Sequence, residues 1–123
     1  MRATAIAMLL VVFSAVAHAQ GRADPPCRAL ADCDALIRTN PSLAAYERRG
    51  LLHLVQRRGL DDLQKAIADF SEAIALDGAR ALSMYGRGMA RLMAGDSAGQ
   101  NEMEAALMLR PDIDAEFKRQ TAE

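Results

Sequence analysis

From Cys27 onward, apolar residues return every three or four positions, and the runs are broken at Asn40-Pro41, Gly59, Gly78, Gly95-Asp96 and Pro111. That spacing is the period of an α-helix, so the pattern predicts six short helices separated by tight turns, with no competing strand signal. Over Leu63 to Asp77 the residues Leu63, Ala66, Ile67, Phe70, Ala73 and Ile74 form one buried stripe, with Asp62, Lys65, Asp69 and Glu72 expected outside it. Asn40 followed by Pro41 predicts an N-cap and a first-turn proline for the next helix. Asp61 and Asp96 are placed to accept hydrogen bonds from free amides at two other helix starts, and Gly59, Gly78 and Gly95 suit left-handed caps at helix ends.

The first residues follow a different pattern. Met1-Arg2 is a short positive segment, Ala3 to Val16 carries no charge, and Ala17-His18-Ala19 sets small residues around a cleavage point before Gln20. This predicts a secretory signal peptide over residues 1–19, cut after Ala19. Read instead as an anchor, the apolar run falls short of the ~20 residues that span a bilayer. No Cys follows it for lipid attachment, and a single Arg does not make a twin-arginine signal. The expectation is export to the periplasm or outside the cell, with no stable membrane insertion after cleavage. Residues 20–26, ending in Pro25-Pro26, form a linker, and residues 27–123 the helical domain.

Within that domain the chain repeats. Cys33, Phe70 and Met103 stand eight residues before Pro41, Gly78 and Pro111, and Leu36, Ala73 and Ala106 follow three residues after the first set. Between them lie Tyr46-Glu47-Arg48-Arg49-Gly50 and Met84-Tyr85-Gly86-Arg87-Gly88, which share an aromatic and an Arg-Gly pair. The pattern resembles the tetratricopeptide-repeat family: Tyr46, Gly50, Ala66, Phe70 and Gly78 fill its positions once, and Gly88, Gly99, Met103 and Pro111 fill them again. Ala29, Cys33 and Pro41 look like the second helix of an incomplete earlier unit. Departures are Arg49 and Arg87 at an apolar position, His53 and Arg91 at an aromatic one, Gly78 at a proline, and a long loop from Arg57 to Gln64.

The resemblance implies an all-α fold, a short right-handed superhelical stack of antiparallel helix pairs closed by a C-terminal capping helix. Its parts would be a partial repeat over 27–40, full repeats over 41–77 and 78–110, and the cap over 111–123. Tyr46, Gly50, Ala66, Phe70, Ala73, Gly88, Met103, Ala106 and Pro111 would carry the repeat packing. Small residues at Gly50, Gly88, Ala66 and Ala73 let helices approach, and Phe70 fills the remaining gap. Ile113 and Phe117, four residues apart, would lie on the last unit, with Asp114, Glu116, Lys118 and Arg119 facing water.

Composition agrees with one helical domain: 123 residues, 51% apolar, 25% charged, 4% aromatic and no Trp. The net charge is −1, which does not fit a nucleic-acid binder. Cys27 and Cys33 are the only cysteines. On one continuous helix, residues six apart are separated by about 9 Å of rise, beyond the reach of a disulfide. Bonding therefore requires Cys27 to precede the helix and fold back; the alternatives are a buried unbonded Cys33, or redox or metal chemistry, although C-x5-C matches no common motif for either.

Met84, Met89 and Met93 could hold Cu(I) in an exported protein, but Met is a routine core filler and no His is close in sequence. His53, in a family aromatic position, reads as a packed, hydrogen-bonded side chain rather than a catalyst. With one mature His, no Gly-flanked Ser and no phosphate loop, the chain is expected to be no enzyme and to use no cofactor or metal.

By resemblance, the ligand groove would be lined by Ala44, Glu47, Leu51, Leu54 and Val55 from one unit and Leu82, Tyr85, Met89, Leu92 and Met93 from the next. The leading expectation is a module that binds a protein or peptide. The runner-up is a structural or assembly subunit, with the same face covered by another copy or by a larger envelope complex. A metal or redox accessory role is the weakest. In so short a stack the groove could also be shut by the terminal helix near Phe117, which would make Tyr85 core rather than anchor.

Overall fold

The computed structural model describes residues 24–122; the expected leader and its cleavage point lie outside them. Six helices follow one another: α1 (Leu30–Thr39), α2 (Leu43–Gln56), α3 (Leu60–Leu76), α4 (Ala81–Met93), α5 (Ala98–Leu109) and α6 (Ile113–Thr121). There is no strand among the described residues. Each helix packs on its neighbour in sequence, and α2, α4 and α6 also touch one another, whereas α1, α3 and α5 do not.

The turns that separate the helices are local chemistry, in places different from the expectation. Ser42, not Asn40, caps α2, its hydroxyl accepting from the Ala45 amide at 3.2 Å; Asn40 instead closes α1, its amide donating to the Leu36 carbonyl at 2.7 Å. A hydroxyl directly before the helix reaches its third amide, which a residue beyond Pro41 does not. At the start of α3 the Asp62 carboxylate takes the Arg58 amide at 2.7 Å, while Asp61 pairs with Lys65 at 3.0 Å. Asp96 does accept from the Ala98 amide, at 3.0 Å.

Of the three glycines expected in left-handed caps, only Gly95 is left-handed, with φ 91°; Gly59 is extended ahead of α3. Gly95 and Asp96 donate to the Leu92 and Arg91 carbonyls at 3.0 and 2.8 Å, the paired bonds that stop a helix with a left-handed residue.

The α2–α3 and α3–α4 contacts meet at Phe70. Its ring is fully buried, and a methyl group placed on Gly50 of α2 or Gly86 of α4 would come within 3.0 or 2.5 Å of it. Absent side chains on two helices therefore make the slot that one aromatic fills. Between α4 and α5 the backbones themselves meet, since a Cβ on Gly88 would lie 2.5 Å from the Gly99 carbonyl oxygen. Leu51, Leu54, Leu63, Leu82, Tyr85, Ile113 and Phe117 complete the core, with Ala66, Ala81, Ala90 and Ala106 at the close contacts. Ala73 is also fully buried, on α3.

Cys27 lies before α1 and is bonded to Cys33, with Cα atoms 5.2 Å apart. Both residues are buried, so the bond closes the α1 end of the domain. A disulfide here is consistent with an oxidising, extracytoplasmic location. Among the described residues no helix is long and apolar enough to cross a membrane.

Candidate functional site

The residues read as a groove lining fall on the face where α2, α4 and α6 meet, and the structure divides them. Leu51, Leu54, Leu82 and Tyr85 are buried, because α6 lies against α2 and α4 with Ile113 and Phe117 turned inward. The Phe117 and Tyr85 ring centroids stand 5.2 Å apart with the planes tilted at 57°, within the range of favourable aromatic pairs. Burial, and then the Asp114 charge, raise the Tyr85 hydroxyl above its ordinary pKa. Glu47 is also buried and is fully engaged: Arg80 donates to it twice, at 2.9 and 2.7 Å, and Ser83 once, at 2.6 Å.

What stays open is the end of the face. Val55, Leu92 and Met93 are 41%, 38% and 39% exposed, and Met89 is half-buried. Leu54, Val55, Met89, Met93 and Phe117 line a cleft of about 490 Å³ with Arg57 and Thr121 at its polar edge. Val55, Met93 and Thr121 belong to the last turns of α2, α4 and α6, so the cleft opens where three helices end. Met84, also partly buried, packs against the core and does not line this cleft.

The polar residues show a device that the hydrophobic pattern concealed. Asp69, expected to face water, is 4% exposed. Arg49 holds it with two hydrogen bonds, at 2.9 and 2.7 Å, and reaches Asp34 of α1 at 2.9 Å, while the His53 ring stands 3.8 Å from the same carboxylate. The next helix pair repeats this arrangement: Arg87 holds Glu102 at 2.8 Å, and Arg91, one turn on, binds it too. Arg49, Arg87 and Arg91 are thus the cationic halves of two clamps. A signal was present, since Asp32, Asp69 and Glu102 each directly precede the repeated Cys33, Phe70 and Met103.

Burial lowers the pKa of His53, against the opposing pull of Asp69 and Asp62, and its Nδ1 has no hydrogen-bond partner. The ring therefore sits as a neutral, packed side chain beside an acid already held by Arg49. No group of three or more His, Cys, Asp or Glu side chains among the described residues is arranged to hold a metal ion.

No protein-family model matches the chain, and no curated protein or solved structure is significantly similar to it.

Proposed function

We propose that this chain is an exported, non-enzymatic scaffold of the tetratricopeptide-repeat kind that holds a segment of a partner protein. The observation that supports this reading is the cleft at the ends of α2, α4 and α6, where Val55 and Met93 stay exposed beside core residues that α6 covers elsewhere. Exposed apolar side chains grouped in a concavity are a feature of binding surfaces, and Met adapts its shape to what it meets. The repeated Arg-Gly and acid-apolar positions, the two clamped helix pairs and the packing of α2, α4 and α6 on one another support a right-handed stack capped by α6. The disulfide supports action in the periplasm or outside the cell.

The runner-up is a self-assembling or envelope-complex subunit, favoured by the exposure of Leu76, Met108 and Leu109 at the other ends of α3 and α5. A photo-crosslinking residue placed at Met93, and in a control at Met108, separates the two. The scaffold predicts an adduct with a different protein from position 93 alone. An adduct with the chain itself, or adducts from position 108 only, would replace it with the runner-up.

A further inference from the structure

We propose that the chain has a second binding site, for an aliphatic carboxylate, in the cleft of about 270 Å³ walled by residues 24–26, α2, α4 and α6, with the Arg48 guanidinium as its anion-binding group. Arg48 sits within α2 and is 7% exposed. Its Nε donates to the Cys27 carbonyl at 3.1 Å, and Cys27 is held in place by its bond to Cys33. A guanidinium has four further N–H donors, and here they have no partner among the described residues. No carboxylate among those residues comes within 4.0 Å of it. A guanidinium that faces a cleft without a carboxylate partner favours a ligand that supplies one.

Two of the cleft's carboxylates are already matched. Arg80 and Ser83 hold Glu47, and Arg119 and Gln120 hold Glu116, while the Asp24 side chain is 93% exposed and stands 3.9 Å from Arg28. That leaves Arg48 as the cation of the cleft with no carboxylate on it among the described residues. The rest of the wall is apolar: Pro25, Pro26, Ala44, Leu51 and Leu82. A fork of donors beside an aliphatic wall matches one carboxylate on a short aliphatic body. A second negative charge on the ligand would find no cation free and would face Glu47 and Glu116. The cleft is smaller than a drug-sized pocket, which restricts the ligand to a short acid or a single acidic side chain.

The test follows the Arg48 Nε–H signal by NMR in the disulfide-bonded wild-type protein, at constant ionic strength. Hexanoate is the probe for a free acid, acetyl-Leu-Glu-Leu-amide for an acidic side chain, and hexylammonium and chloride are controls. A saturable shift with hexanoate or the peptide, and none with the controls, is the expected result; which of the two binds identifies the source of the carboxylate. Arg48→Gln should weaken that binding roughly tenfold or more, as loss of a charged hydrogen bond does, while Arg57→Gln in the other cleft leaves it unchanged. If Arg48→Gln fails to fold, the wild-type titration decides alone. No saturable shift, or an equal one with chloride, would reduce Arg48 to a solvated peg for the Cys27 carbonyl. The result does not depend on whether the larger cleft holds a partner.

Discussion

In the α2–α3 pair the gap between helices is filled by the Phe70 ring, whereas in the α4–α5 pair the backbones meet at Gly88 and Gly99 and Met103 packs beside them only partly buried. In both pairs an arginine on the first helix holds an acid on the second, but the Asp69 side chain is 5% exposed while that of Glu102 is 16% exposed. One positional pattern thus produces two contacts of different kinds. The first depends on a large side chain seated in a slot, the second on the absence of side chains.

The largest effect expected from this difference is at the gap-filling position. Phe70→Ala empties a slot bounded by rigid helices and should cost about 3 to 5 kcal/mol, against about 2 kcal/mol for Met103→Ala, which leaves a site open to water. Urea denaturation of the two variants measures both, and equal losses would mean that the two contacts are not different in kind.

The glycines should rank the other way. At Gly88 an added methyl meets a backbone carbonyl, so Gly88→Ala should cost about 3 kcal/mol. At Gly50 it meets the Phe70 ring at 3.0 Å, a longer contact and with a side chain, and Ala favours the helix by about 1 kcal/mol, so Gly50→Ala should cost roughly 1 kcal/mol. A denaturation midpoint lower for Gly50→Ala than for Gly88→Ala would reverse the assignment.

The smallest effect separates the clamps by pH. His53 has its pKa lowered in the folded state by burial, so below its ordinary value of 6.5 the unfolded chain takes up a proton that the folded one resists. Stability is therefore full above that value and falls as pH drops through the window beneath it, until the folded ring also protonates near Asp62 and Asp69. The second pair carries Arg91 where the first carries His53 and so has no imidazole to give such a slope. His53→Gln should flatten the stability profile in the window just below pH 6.5 relative to wild type. An unchanged profile would show that His53 carries the same protonation in both states.

Much of the fold was legible in the sequence. Helix number, the breaks between helices, and the crowding at Gly50, Gly88 and Phe70 follow from apolar periodicity and from glycines beside bulky residues. Finer placements were not: the cap of α2 moved from Asn40 to Ser42, and Gly59 took an extended conformation, because terminal geometry depends on one or two torsions that periodicity does not encode. The candidate site was legible as a face and not as a boundary. Glu47, Leu51 and Tyr85 share the face that contains Val55 and Met93, yet they ended inside it.

What the sequence determined by itself was therefore local: six helices, their repeated pairing and the small residues that let them approach, since each depends on residues within a turn or two of one another. Only the tertiary structure decided that α6 would shut most of the shared face and leave one end open. It also decided that Asp69 would be buried under Arg49, 20 residues away, and that Cys27 would turn back to Cys33 and place its carbonyl on Arg48. These outcomes depend on which distant groups meet, and a charge or an aromatic ring reads the same in sequence whether it meets water or a partner.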